Sequence, residues 1–146
     1  MTVQAQVLQL INDLKKEFGM TVLLITHDLG VVAEVCDRVA IMYASHIVEC
    51  APVLDIFRRP RHPYTVGLLA SIPSFHLRGE KLSIIPGQVP RPTNYPAGCN
   101  FHSRCEYATE NCVLHEPKPE PVDAHHTVAC WNWKEVHVPD SVHRPE

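Results

Sequence analysis

The sequence predicts an α/β fold in its first part, followed by a proline- and cysteine-rich extension. Three observations carry this reading. Thr21–Thr26 (TVLLIT) is a short apolar, β-branched run of the kind found in strands covered on both faces. Val7, Leu10, Ile11, Leu14 and Phe18 recur at the spacing of one helix face. All 13 prolines lie at or after Pro52, so the first third and the remainder are different kinds of chain.

The helix that ends near Phe18 has Lys15 and Lys16 in its last turns, favourable for the helix dipole, and Gly19 suits the C′ position. A helix followed by a strand at 21–26 is half of a βαβ unit without its first strand, the pattern of an incomplete domain. At the carboxyl end of that strand the chain turns polar at Thr26, His27 and Asp28, where ligands are met in open α/β sheets. Asp28 suits the N-cap of a helix over Leu29–Cys36, because its carboxylate can accept free backbone N–H groups. Val39–Tyr43 and Ile47–Cys50 read as two strands joined at Ala44-Ser45-His46, a turn that needs positive φ. Pro52–Arg59 reads as a short helix, and Pro63 suits the first position of another helix running to about Ser71. Residues 72–98 are proline-rich with little periodicity, a strap ordered by contact rather than a core. A compact cysteine segment follows from Cys99 to Cys130, then a frayed tail. The expected organisation is 1–60, 61–98, 99–133 and 134–146.

Composition excludes some classes of function. A net charge of −3 with 20% charged residues gives no basic surface for nucleic acid. No run of eighteen apolar residues suggests a transmembrane helix, and no signal-peptide layout opens the chain. That points to the cytoplasm, where the six cysteines are reduced thiols or metal ligands.

Two sets of residues carry candidate chemistry. His27 stands at a strand end beside a capping residue, which holds its imidazole in a fixed place; a hydrogen-bonded structural histidine is the plainer alternative. Cys99, Cys105, Cys112 and Cys130 are spaced C-x5-C-x6-C-x17-C, with Gly98 before the first and Phe101, Tyr107 and Trp131 interleaved. Four thiolates suit zinc or an iron–sulfur cluster. Structural zinc favours tighter C-x2–4-C pairs, and longer gaps suit a larger cluster; small buried thiols without metal are the third reading. Cys36 and Cys50 read as core residues, and His102, His115, His125 and His126 as loop histidines.

Leu24-Ile25-Thr26-His27-Asp28-Leu29, with Ala33-Glu34 and Asp37-Arg38-Val39, resembles the switch-histidine region of ABC-type ATPases. Arg61-His62-Pro63-Tyr64-Thr65 resembles the signature of the ATP-binding subunits of bacterial oligopeptide and dipeptide importers. The resemblance runs from Thr2 to about Trp131. It implies the C-terminal part of a P-loop NTPase nucleotide-binding domain, with ATP and Mg²⁺ as cofactors in the complete subunit. It also implies that His27 reaches the γ-phosphate, where imidazole can stabilise charge and position the attacking water. The general base would be a glutamate upstream of Met1. Some peptide-importer ATPases carry a similar cysteine segment that holds a [4Fe-4S] cluster. The HPYT motif is diagnostic of the branch, and no catalytic role attaches to His62 or Tyr64. Expected partners are a second ATPase subunit, transmembrane permeases and, indirectly, a peptide-binding protein, with the chain peripheral on the inner membrane face. Glycine normally occupies the turn where Ser45 stands, so strain is expected there, and Cys50-Ala51 replaces a more usual Thr-Gly pair.

A phosphate-cradling loop needs the pattern G-x-x-x-x-G-K-[ST], and none of the 6 glycines supplies it. The chain alone is therefore expected not to hydrolyse ATP. The alternatives are a stand-alone iron–sulfur or zinc module, and a gene remnant that does not fold alone. The cargo, whether oligopeptide, dipeptide or nickel, is not encoded in these residues.

Overall fold

The computed structural model describes residues 3–72 and 84–139. The chain divides into two compact units, residues 1–37 and 38–146. Part of the expected strap (73–83) and the tail from 140 onward lie outside the described residues.

In the first unit, α1 spans Val3–Phe18 and α2 spans Leu29–Val35. Gly19, at φ 60°, closes α1: the Met20 N–H donates to the Lys15 carbonyl at 3.2 Å, the six-to-one bond that ends a helix on a left-handed residue. Lys15 pairs with Asp37. The apolar face of α1 is formed as expected, but none of its residues is buried. Thr21–Thr26 is a correction. It is not a strand, and Leu23 and Ile25 are 87% and 91% exposed. A strand exists only through a ladder to a neighbour, and the described part of this unit places none beside it.

The second unit is built on a hairpin. β1 (Arg38–Tyr43) and β2 (His46–Pro52) pair antiparallel. Ala44 and Ser45 both have positive φ, 46° and 67°, which is the two-residue turn that matches strand twist. Neither is glycine, so both hold the left-handed region at a cost. Val39, Ile41 and Tyr43 alternate inward along β1. On β2 the register slips between Ile41–Glu49 and Met42–Ile47, leaving Val48 as a bulge. Both Val48 and Glu49 are consequently buried, although a regular strand would turn one of them out.

α3 (Val53–Arg58) and α4 (Pro63–Ala70) follow, with Pro63 in the first turn of α4 as its sequence suggests. Beyond the strap, a 3₁₀ turn at His102–Arg104 and the short α5 (Glu110–Leu114) lead to two brief strands, β3 (Glu120–Pro121) and β4 (Thr127–Val128). These extend the hairpin into an antiparallel sheet of order β1-β2-β4-β3. The sequence reading did not anticipate either strand. The core gathers Ile56 and Leu69 with Ala51 and Val128 of the sheet, and Tyr43, Tyr64 and Phe101 meet in tilted and edge-on contacts at centroid distances of 4.7–5.6 Å. Arg104 fastens the end of the strap by donating to the carbonyls of Ile85 (3.0 Å) and Pro86 (2.7 Å).

Candidate functional site

His27 lies in the first unit, in the turn between the extended stretch and α2, and it is exposed. The turn is built from its neighbours. The Asp28 N–H donates to the Thr26 hydroxyl at 3.0 Å, and Asp28 Oδ1 accepts from the N–H groups of Gly30 (2.9 Å) and Val31 (3.2 Å). Asp28 is thus the N-cap that the sequence indicates, satisfying two of the helix's free donors. His27 is held between two residues whose side chains are both committed to the backbone.

The four cysteines lie in the second unit and line one cavity, together with His62, Phe101, His102, Tyr107, Trp131 and Asn132 among others. Gly98 makes the first approach possible. The Cys99 N–H donates to the Cys112 carbonyl at 2.8 Å, and a Cβ on residue 98 would stand 2.3 Å from that same oxygen. The 3₁₀ turn supplies Cys105, α5 supplies the buried Cys112, and Cys130 follows β4. Burial pushes the thiols up: Cys99 above its ordinary value, Cys105 to about 11 and Cys130 to about 12, with the neighbouring cysteines adding to the effect. These are protonated thiols, and any metal they take must displace the protons. The space they enclose, ≈ 10 Å³, is about that of one water. Among the described residues, no group of three or more His, Cys, Asp or Glu side chains is placed to hold a metal ion.

A buried polar cluster adjoins this cavity, and sequence reasoning missed its centre. Glu49, 1% exposed, accepts from the N–H groups of Arg61 (2.6 Å) and His62 (3.0 Å) and from His126 Nε2 (2.7 Å). His126, read from the sequence as a loop histidine, is 1% exposed. His62 caps α4, its Nδ1 accepting the Tyr64 N–H at 3.0 Å. Burial pushes the His62 imidazole down to about 4, against the opposing pull of the Glu49 carboxylate. The only hint of this cluster in the sequence was an acidic residue inside an apolar strand run. His46 Nε2 lies 3.1 Å from a Glu116 carboxylate oxygen beside the hairpin turn.

Residues 48–112 match the family model described as "Oligopeptide/dipeptide transporter, C-terminal region". It is similar to a putative peptide import ATP-binding protein of Brucella ovis, 49% identical over 141 residues covering 92% of this chain and 42% of the relative. The oligopeptide transport ATP-binding protein AppD of Bacillus subtilis is 48% identical over 134 residues, 92% of this chain and 41% of that protein. A probable peptide ABC transporter ATP-binding protein of Sinorhizobium fredii is likewise 48% identical over 136 residues, with 92% and 41% covered. The chain therefore spans about two fifths of the length of the curated relatives it matches. No helix among the described residues is long and apolar enough to cross a membrane.

Proposed function

We propose that this chain is the C-terminal part of an ATP-hydrolysing subunit that energises ABC-type import of oligopeptides or dipeptides. The observation that carries the reading is the match of residues 48–112 to the transporter family's C-terminal region, set within relatives named for peptide import. In the complete assembly two such subunits take ATP with Mg²⁺ between them and drive transmembrane permeases from the cytoplasmic face. His27 is the residue that acts on the nucleotide. Thr26 and the capping Asp28 fix the backbone on either side of His27, so its place at the start of α2 is set before the phosphate arrives. In a complete subunit, His27→Ala should leave ATP binding intact and lower hydrolysis by roughly 10²–10³. Turnover equal to wild type would show that the histidine is structural. This chain without a phosphate-cradling loop should show no Mg²⁺-dependent hydrolysis, and a saturable rate would overturn the assignment.

The second part of the reading concerns the cysteines. Four soft thiols from four separate segments around one cavity form the donor set of a [4Fe-4S] cluster. The C-x5-C-x6-C-x17-C spacing lacks the tight C-x2–4-C pairs of structural zinc, which favours the wider cluster. The narrow space between them means that loading must turn the side chains apart as the protons leave. When bound, a cluster would supply one-electron chemistry and a covalent tie between the four segments. Anaerobically reconstituted protein should be brown with close to four irons per chain, and Cys→Ser at position 99, 105, 112 or 130 should bleach it. Cys36→Ser and Cys50→Ser should keep the colour. A colourless protein with one zinc per chain would move the site to structural zinc.

A further inference from the structure

Of the four cysteines around the enclosed cavity, Cys99 and Cys112 are the pair joined directly through their backbones. The Cys99 N–H donates to the Cys112 carbonyl at 2.8 Å, a bond that holds their Cα atoms within about 6 Å of each other. A disulfide spans Cα separations of roughly 4.4–6.8 Å. Both are free thiols, and both border a space of ≈ 10 Å³, too small for more than one water. The two differ in access. Cys112 is 5% exposed, whereas Cys99 is partly exposed and also lines a larger cavity of ≈ 390 Å³ beside the hairpin turn, with Met42, His46, Ile47, Asn100 and Glu116. Cys105, Cys112 and Cys130 do not line that second cavity. Cys99 therefore stands between the open space and the closed one.

We propose that Cys99 and Cys112 form a reversible disulfide, with a low-molecular-weight disulfide as the oxidant and Cys99 as the thiol that reacts first. Cys99, reached from the larger cavity, gives up its proton and attacks one sulfur of the small disulfide RSSR. The other sulfur leaves as RS⁻ and takes up a proton to become RSH. Cys112 then attacks the Cys99 sulfur of the mixed disulfide, the bond to the RS group breaks, and a second RSH departs with the Cys112 proton. The two protein thiols lose two electrons and two protons, and RSSR becomes two RSH. Disulfides that come and go in this way are the kind found in reducing compartments. The step needs no metal and stands apart from the cluster reading. It acts on the same site, because the bond withdraws two of the four donors and reduction restores them.

The test uses the full 146-residue chain, reduced and freed of metal, with oxidised glutathione as the probe. Peptide mapping should join Cys99 to Cys112 and find Cys105 and Cys130 still as thiols. Cys112→Ser should halt the reaction at a glutathione adduct on Cys99, and Cys99→Ser should leave Cys112 unmodified. A bond between any other two of the four, an adduct formed first on Cys105 or Cys130, or four unreacted thiols overturns the proposal. If Cys112→Ser does not fold, wild-type protein quenched in acid early in the reaction decides, and its mixed disulfide should lie on Cys99. Anaerobic iron reconstitution of the same preparation keeps the two readings apart. A disulfide in a protein that takes no iron supports this proposal and overturns the cluster; iron in a protein that forms no disulfide does the reverse.

Discussion

Residues 3–37 and residues 38–139 draw on similar apolar residues and treat them in opposite ways. In the first unit, Val7, Leu10, Phe18, Leu23 and Ile25 are half to nine-tenths exposed, and Val32 is the one buried hydrophobic residue among those described. In the second, Ile56 and Ala51 are fully enclosed and even a carboxylate is dehydrated. The local structure of both units is equally well formed: α1 has its glycine stop, α2 its aspartate cap and α4 its histidine cap. Capping and periodicity therefore set where a helix begins, ends and faces. They do not supply what it packs against. Packing in the second unit comes from pairing at long range, through β2 to β4 and through Glu49 to His126.

The contrast can be broken most forcefully at Glu49. Glu49→Ala removes the acceptor shared by two backbone N–H groups and His126, leaving all three buried without it. Breaking such a buried pair from one side costs about 3–5 kcal/mol. Leu10→Ala, on the 58%-exposed face of α1, should stay within about 0.5 kcal/mol. Denaturant unfolding followed for each unit separately checks both numbers. Comparable losses at the two sites would erase the distinction drawn here.

Acid sharpens the same comparison. The His62 ring is held near 4, below its ordinary 6.5. Between those values the unfolded chain binds a proton that the folded chain refuses, so stability falls as the pH drops through this window. The full loss is about 3 kcal/mol, and above pH 6.5 the residue contributes no pH dependence. Stability curves measured at several pH values should show this slope in the second unit and lose it in His62→Asn. A slope unchanged in the variant would assign the acid sensitivity to other groups.

The smallest expected effect lies in the hairpin turn. Ala44, at φ 46°, carries a Cβ into the left-handed region, and Ala44→Gly should stabilise the second unit by about 1 kcal/mol. Ser45 is a poorer choice for this test, because its hydroxyl pairs with that of Tyr95 at 2.9 Å. An unchanged midpoint on thermal melting would mean that the turn is relaxed as it stands.

What the sequence reveals follows the same line. The Asp28 cap, the Gly19 stop, the hairpin and the first-turn proline of α4 are all fixed by residues within a few positions of each other, and each reading holds. The strand over 21–26 was misread because a run of Leu, Val and Ile announces apolar surface, whereas a ladder depends on a neighbour. β3 and β4 are two residues each, too short to carry an alternation. Glu49 and His126 were invisible for a different reason. The Val48 bulge reverses the inside and outside of β2, and no local rule connects positions 77 residues apart. The cysteines were legible as a set, since their spacing and Gly98 are local signals, and the structure brings all four to one cavity. That His62 would join them was not, because its place there depends on packing against Phe101.

The distance between Glu49 and His126 also sets an order of events during synthesis. At typical elongation rates the 77 residues from Cys50 through His126 take roughly 4–15 s to appear. Throughout that interval the hairpin exists, with its carboxylate on the inner face, but the imidazole that lets this carboxylate leave water has not been made. The inner face of β2 must stay hydrated, and a core that includes it cannot close. A nascent chain arrested before residue 126 should hold a formed turn over a wet sheet, open to proteases and chaperones. The hairpin is the first part of this unit to emerge from the ribosome and among the last to be sealed.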